Sequence, residues 1–207
     1  MTTAVAAGQP VFWLLAGPNG AGKSTLYRAL VLQGLISTEA EFVNADLYEQ
    51  AALGHIADPE ARSNAAREWA DARRAALLKE GRSFVSETVF SHPSKLDLID
   101  RARAAGFIVH LLVVAIDDPR RLVARVRQRV GEGGHDVPAK RIVQRYPRTL
   151  ANLAHAVRRA DIAMLYDSHD VQPGTHRMVA LCRGELTRVL HRPLPQWART
   201  VLGSAGD

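Results

Sequence analysis

Glycines, a lysine and a serine follow an apolar stretch near the start of the chain. Gly17, Gly22, Lys23 and Ser24 have the spacing G-x-x-x-x-G-K-[ST], which is typical of a loop that turns its backbone N–H groups toward phosphate oxygens. In such a loop the lysine reaches the β and γ phosphates and the serine hydroxyl binds Mg²⁺. The spacing predicts that the chain binds ATP and Mg²⁺ through Gly17, Asn19, Gly20, Ala21, Gly22, Lys23, Ser24 and Thr25.

Asp46 follows a second apolar stretch, EFV at residues 41–43. Phosphoryl transfer to a hydroxyl group needs a carboxylate that orients the hydroxyl and accepts its proton. Asp46 is the candidate for this catalytic and substrate-binding role. Its alternative role is to cap the helix that begins near Leu47, because aspartate is a favoured N-cap residue.

Two further strand-like stretches also end in polar side chains. Glu87 and Thr88 end FVSET, and Asp117 with Asp118 follows FIVHLLVVAI. A carboxylate at the end of an apolar strand needs a partner, so we expect Glu87 either to lie behind Mg²⁺ or to bond to substrate hydroxyls. Asp117 could bind a metal, but DDP is equally an ordinary helix start before a proline.

Two pairs of arginines flank a glycine-rich break, GEGGHDV. Arg125 and Arg129 are four residues apart on one predicted helix, and Arg141 and Arg145 are four apart on the next; residues with this spacing share a helix face. Hinged helices with inward guanidinium groups could close over phosphates and exclude water. We therefore predict a lid at residues 120–148 whose arginines bind phosphates. Each arginine alone could instead lie on a solvated face.

The elements that must position these residues alternate along the chain. Apolar strand-like stretches at 11–16, 41–46, 83–88, 107–116 and 161–168 are separated by helical patterns. This alternation predicts an α/β fold of the P-loop NTPase type, with a parallel sheet of about five strands, helices on both faces and a helical lid. The carboxyl ends of parallel strands share one edge of the sheet, so the acidic residues are expected to converge there.

Length and composition indicate one ordinary globular domain. The chain has 207 residues, a formal charge of +6 and one cysteine, Cys182. We predict a single kinase domain over residues 1–207, with a hairpin-like appendage at about 174–207. The lone cysteine and the absence of a signal-like or membrane-spanning stretch favour a cytoplasmic protein without membrane contact. Arginines at 62, 67, 73 and 74 are assigned to a solvated helix face, so nucleic-acid binding is not expected.

Several of these segments together resemble the zeta-toxin-like P-loop kinases, in particular their stand-alone bacterial branch. The resemblance runs from Val11 to Ser168 and is carried by GPNGAGKST, VNAD, FVSET, RVRQRVGEGGHDVP with RY soon after, and ADIAMLYDS. It implies ATP-dependent phosphorylation of a sugar hydroxyl of UDP-N-acetylglucosamine, toxicity through blocked cell-wall precursor synthesis and, in some members, an antitoxin partner. It also implies the roles given above for Lys23, Ser24, Asp46 and Glu87. The same resemblance implies that Thr88 contacts the substrate, that Arg129 and Arg145 are catalytic and that Arg141 binds ATP.

Two alternatives remain open at the level of the sequence. One is a nucleotide-gated ATPase or switch module without a small-molecule acceptor, although the chain has no LSGGQ-like signature. The other is a kinase that acts on another nucleotide or on a polynucleotide. Basic stretches interleaved with aromatic residues, which would favour the polynucleotide, are not seen.

Overall fold

A computed structural model of the chain describes residues 8–132, 134, 136–169 and 176–203. Within that part lie seven strands, seven α-helices and one 3₁₀ turn at Pro93–Lys95. The strands are β1 (Val11–Ala16), β2 (Glu41–Val43), β3 (Phe84–Thr88), β4 (Ile108–Ala115), β5 (Ile162–Asp167), β6 (Arg177–Arg183) and β7 (Leu186–Val189). The helices are α1 (Lys23–Leu32), α2 (Ala45–Ala52), α3 (Pro59–Glu80), α4 (Leu96–Ala104), α5 (Pro119–Gly131), α6 (Ala139–Arg159) and α7 (Gln196–Leu202).

All seven strands belong to one sheet, in the order β2-β3-β1-β4-β5-β6-β7. The first five are parallel, as predicted, and β6 and β7 continue the sheet in the antiparallel direction. The sheet therefore has seven strands rather than about five. The difference arises because the C-terminal hairpin pairs with β5, and Ala180 and Cys182 on its first strand are buried against the core.

Two apolar clusters cover the two faces of the sheet. Side chains that alternate along β1 go to opposite clusters: Phe12 and Leu14 to one, Leu15 to the other. The strands that are buried on both faces therefore read as continuous apolar runs. This packing fixes β1 and β3 side by side, and with them the loop after β1 and the polar residues after β3.

The helix boundaries follow recognisable end signals. α3 begins with Asp58 as N-cap and Pro59 in the first turn, and its C-cap is Gly81, which has a positive φ of 64°. The pattern of an aspartate, a proline and a closing glycine predicts these ends from the sequence. A proline inside a helical pattern predicts a kink or a break, but α6 runs continuously through Pro147, so the proline does not divide the helix. The predicted break between α5 and α6 includes Gly133 and His135, which lie outside the described residues.

The inward face of α3 differs in part from the one that its sequence favours. The sequence predicts an inward stripe of Trp69, Ala72, Ala76 and Ala65; Trp69 is half-buried and packs against the core, but the buried residues are Ala66, Ala70, Arg74 and Leu77. A helix this rich in alanine gives little contrast between its faces, so its periodicity could not fix the rotation. The true rotation turns Arg74 inward, although the sequence analysis had assigned it to solvent.

Candidate active site

The loop after β1 has the backbone that its glycines allow. Gly17 has a φ of 153°, and a Cβ atom there would lie 2.0 Å from the carbonyl oxygen of Val114. Gly22 has a φ of 91° and directly precedes α1, and a Cβ there would lie 2.8 Å from the Nε2 atom of His176. Side chains are thus excluded by conformation and by space. The loop leads into the N-terminus of α1, where free N–H groups favour an anion.

Lys23 is buried within this loop, with 5% of its surface exposed. Its Nζ donates to the carbonyl oxygens of Gly17 and Pro18 at 3.0 and 3.1 Å, and it lies 3.6 Å from Oε1 of Glu87. The ammonium group is therefore held at the mouth of the loop by oxygen atoms on several sides. A phosphate bound in the loop would find this cation already in place.

Ser24, Glu87 and Asn44 form a hydrogen-bonded group beside Lys23. The hydroxyl of Ser24 donates to Oε2 of Glu87 at 2.8 Å, and Nδ2 of Asn44 donates to the same oxygen at 3.1 Å. These hydroxyl and carboxylate oxygens are the hard ligands that Mg²⁺ prefers, and such sites are completed by water and substrate phosphates. The residues present therefore fit Mg²⁺, with Ser24 as the ligand and Glu87 behind it.

Asp46 lies in the first turn of α2 and lines the same cavity. The N-cap of α2 is Asn44, whose Oδ1 accepts from the N–H of Leu47 at 3.2 Å, so the alternative role of Asp46 as the cap is wrong. Among the described residues, no hydrogen bond or ion pair engages the Asp46 carboxylate. It can therefore accept a hydrogen bond from a substrate hydroxyl.

Thr88 ends β3 at the level of the loop. Its carbonyl oxygen accepts from the N–H of Gly17 at 3.3 Å, and its hydroxyl accepts from the N–H of Phe90 at 3.4 Å. Phe90 is buried and has a φ of 62°, which is unusual for a residue with a side chain. Such a conformation is costly and is often found where a loop forms a ligand site.

The lid arginines fall into two groups. Arg125 is tied to the end of β5, where its guanidinium donates to the hydroxyl and the carbonyl oxygen of Ser168 at 3.0 and 2.6 Å. Arg141 and Arg145 lie on α6 with Arg148, and all three line the cavity. Burial lowers the pKa of Arg145, and the charges of Arg141, Arg148 and Arg67 lower it further. The α6 arginines thus face other cations.

Five cationic side chains that line the cavity are not among the predicted site residues. They are Arg28 of α1, Arg67 and Arg74 of α3, Lys95 of the 3₁₀ turn and Arg148 of α6. Burial is the main cause that lowers the pKa of Lys95, while Asp71 opposes the shift. Burial would raise the pKa of Asp71, but hydrogen bonds and charge from Arg74 and Lys95 lower it on balance. Arg67 and Arg74 reach the cavity because of the rotation of α3 about its axis, and the spacing of residues in the sequence does not indicate that rotation.

His176 was also missed, and it lies against the phosphate loop. Burial lowers the pKa of His176, the nearby backbone of Gly22 opposes the shift, and Arg125 adds to it. Its ring is therefore biased toward the neutral form. This side chain closes one side of the loop at Gly22.

Asp117 does not reach the site. Its Oδ2 and Oδ1 accept from the backbone N–H groups of Gln196 and Trp197 at 3.1 and 2.7 Å, at the start of α7. Asp118 is the N-cap of α5. Both aspartates that end β4 therefore hold helices, which supports the helix-cap alternative and removes Asp117 as a metal candidate.

The cavity that joins these residues has a volume of about 1170 Å³. Ten lysine or arginine side chains and seven aspartate or glutamate side chains line it, so its walls carry an excess of positive charge that suits anionic ligands. Gly17 is the predicted site residue that does not line it. The others do: Asn19, Gly20, Ala21, Gly22, Lys23, Ser24, Thr25, Asp46, Glu87, Thr88, Arg129, Arg141 and Arg145.

A phosphate loop between the central strand and the first helix of a parallel sheet defines an α/β protein of the P-loop class. A family model described as Zeta toxin matches residues 1–171. The chain belongs to the Zeta toxin family. A search of curated protein sequences found no match.

Three solved structures share the fold of this chain at low sequence identity to it. A chain of the PezAT chromosomal toxin-antitoxin system of Streptococcus pneumoniae is 16% identical, with a TM-score of 0.61, and the alignment covers 83% of this chain and 77% of that chain. A putative kinase from Chloroflexus aurantiacus is 17% identical, with a TM-score of 0.53 and coverage of 66% and 76%. A chain of the Pnkp1/Rnl/Hen1 RNA repair complex is 20% identical, with a TM-score of 0.54 and coverage of 73% and 48%.

None of the helices in the described ranges has both the length and the apolar character needed to cross a membrane.

Proposed function

We propose that the protein is a kinase that transfers the γ-phosphate of ATP to a hydroxyl group of a small molecule, namely a sugar hydroxyl of UDP-N-acetylglucosamine. The observation that carries the proposal is the carboxylate of Asp46, which has no partner among the described residues and shares one cavity with the phosphate loop. A module that only binds nucleotide does not need such a group. The choice of acceptor rests on membership in the family, and the kinase chemistry rests on the site.

The chain's own residues have distinct tasks in this reaction. The loop and Lys23 bind the phosphates of ATP. Asp46 accepts the proton of the acceptor hydroxyl, and the oxygen of that hydroxyl forms a bond to the γ-phosphorus. The bond between the γ-phosphorus and the bridging oxygen breaks, and ADP leaves. Arg129 and Arg145 stabilise the charge on the transferred group.

Mg²⁺ would be held by Ser24, with Glu87 behind it, and supplies charge neutralisation on the phosphates when it is bound. The hydrogen bonds from Ser24 and Asn44 to Glu87 support this role for Glu87 over direct contact with a substrate hydroxyl. Thr88 and Asp46 then form the substrate side of the site. Arg141 is assigned to ATP as the arginine of α6 nearest the lid break.

The proposal includes a single kinase domain over residues 1–207, a cytoplasmic location and an antitoxin partner that would cover the phosphate loop. The buried free thiol of Cys182 is compatible with a reducing compartment. The partner is suggested by the toxin-antitoxin system to which one structural neighbour belongs.

Mass spectrometry of reactions with Mg-ATP and a panel of acceptors tests the proposal. The panel is led by UDP-N-acetylglucosamine and includes another nucleotide and an oligonucleotide with a free 5′-hydroxyl. A phosphate added to the nucleotide sugar, and lost in Lys23→Ala and Asp46→Ala, is the expected result. A phosphate added to the oligonucleotide alone, or release of ADP and phosphate without any modified acceptor, would contradict it.

A further inference from the structure

Arg74 forms a buried connection between α3 and the two strands that carry the site. It is 5% exposed, and its Nη1 donates to the hydroxyl of Ser86 on β3 at 3.1 Å. Ser86 is fully buried and donates in turn to the carbonyl oxygen of Val43 on β2 at 3.1 Å. One guanidinium group therefore fixes the ends of two neighbouring strands.

The residues that follow these two contact points belong to the site. Val43 and Ser86 are paired in the sheet register, the next residues are Asn44 and Glu87, and these are hydrogen-bonded to each other at 3.1 Å. Asp46 follows two residues after Asn44. A shift in the end of β2 would therefore move Asn44 and the proposed base together.

The strand that needs this support is weakly held by the sheet alone. β2 has three residues and lies at the edge of the sheet, paired on one side with β3. An edge strand of this length has few ladder hydrogen bonds. Its position relative to the phosphate loop therefore depends on side-chain contacts from α3.

We propose that Arg74 is a positioning residue, which sets the distance between Asp46 and the phosphate loop by holding Val43 through Ser86. The kinetic test of this inference rests on the proposed function, because it measures kinase activity. Arg74 also donates from Nη2 to Oδ1 of Asp71, but its Nε atom is buried without an acceptor in the described part of the chain, so stability alone does not account for the arrangement. A buried charge with an unmade hydrogen bond is costly, and apolar replacements of such groups are often as stable or more stable.

The preceding residue on α3 provides a matched control. Arg73 donates from Nε and Nη2 to the two carboxylate oxygens of Glu41, both at 2.6 Å, at the start of the same strand. Neither Arg73 nor Glu41 lines the cavity. Arg73 and Arg74 therefore hold opposite ends of β2, and only the end held by Arg74 leads to Asn44 and Asp46.

The kinetic test compares Arg74→Met with Arg73→Met. For Arg74→Met we expect kcat to fall about 10-fold to 100-fold, the range for loss of a residue that orients a functional group, with the KM for ATP unchanged within about twofold. Arg73→Met should keep the kcat of the unaltered protein, even if its Tm falls. A fall in Tm for Arg74→Met with an unchanged kcat per folded molecule would make Arg74 a structural residue only.

A double-mutant cycle tests whether the effect passes through Ser86. Ser86→Ala breaks the same connection, so the double variant should have nearly the kcat of either single variant. If the two losses multiply, Arg74 does not act through Ser86 and the proposal is overturned.

Amide hydrogen exchange tests the positioning without any turnover, so it remains decisive even if no acceptor is phosphorylated. The N–H of Leu47 depends on the side chain of Asn44. In Arg74→Met we expect exchange in residues 44–48 to rise at least tenfold, and in Arg73→Met to stay unchanged. Unchanged exchange in Arg74→Met would contradict the positioning role independently of the kinase proposal.

Discussion

Two walls of the cavity are built in opposite ways. On the phosphate-loop side, Lys23 bonds to loop carbonyl oxygens, and Ser24 and Asn44 both donate to Glu87. On the α6 side, Arg145 faces Arg141, Arg148 and Arg67, and these like charges contribute to the lowering of its pKa. In the first wall the polar groups other than the Asp46 carboxylate hydrogen-bond to one another, whereas the second wall brings cations together.

This difference indicates whether each wall is organised before the ligand binds or is stabilised by the bound ligand. A wall whose groups already hydrogen-bond to one another needs little reorganisation when substrate arrives, which is how preorganised charge lowers a barrier. A cluster of cations is stabilised by an anion that binds to it. The α6 wall should therefore gain more from ligand than it contributes to the empty fold, as expected of a lid.

The largest expected effect concerns the loop-side wall and its free carboxylate. Asp46→Asn keeps the size of the side chain but cannot accept a proton, so we expect kcat to fall about 10²-fold to 10⁴-fold while ATP binding, measured by calorimetry, is retained. Asp118→Asn is the control, because that residue caps α5 away from the cavity. Full activity in Asp46→Asn would mean that the base lies elsewhere.

A smaller effect on the same wall is expected from Glu87→Gln. The amide still offers an oxygen to Ser24 and Asn44, but the negative charge beside Lys23 is lost. We expect the Mg²⁺ concentration at half-maximal activity to rise about 10-fold to 100-fold, as for other groups that orient metal ligands. A Mg²⁺ titration checks this, and an unchanged half-maximal concentration would instead favour contact between Glu87 and the substrate.

The α6 wall should respond in the opposite sense for stability. Arg145→Gln removes one member of the cationic cluster, so the free energy of unfolding of the ligand-free protein should rise by a few tenths of a kcal/mol, the scale of like-charge pairs at helical spacing. The same change should reduce kcat/KM about tenfold through loss of a charge-assisted contact. Denaturant unfolding and steady-state kinetics measure the two effects. A loss of stability together with activity would show that Arg145 supports the fold.

The sequence predicted the loop-side wall better than the α6 wall for a physical reason. Gly17, Lys23 and Ser24 lie within eight residues of one another, and the parallel strands bring Glu87 to them because the ends of parallel strands share one edge of the sheet. The contribution of α3 could not be predicted in this way. Arg67 and Arg74 reach the cavity through the rotation of a long alanine-rich helix, and that rotation depends on tertiary packing rather than on a local signal.

The roles of the aspartates at strand ends were predicted in part. The sequence offers a helix-cap role for Asp46, Asp117 and Asp118. Of these three, Asp118 is the one that caps the next helix in the chain, α5. Asn44 takes the cap position on α2 and leaves Asp46 free. Asp117 reaches α7, about 80 residues further along the chain, and no local pattern could have indicated that partner.

Asp117 lies at a strand end outside the cavity, and its substitution has the smallest effect that we expect. It accepts from the first two N–H groups of α7, which packs the fully buried Trp197 into the core. Asp117→Ala should therefore lower the free energy of unfolding by about 0.5 to 2 kcal/mol, the usual cost of a lost helix cap, and leave kcat and the Mg²⁺ requirement unchanged. Denaturant unfolding and a Mg²⁺ titration of the variant measure both. Asp46 and Asp117 both follow apolar stretches, so their sequence signals are similar. A raised Mg²⁺ requirement in Asp117→Ala would therefore show that Asp117 belongs to the active site as well.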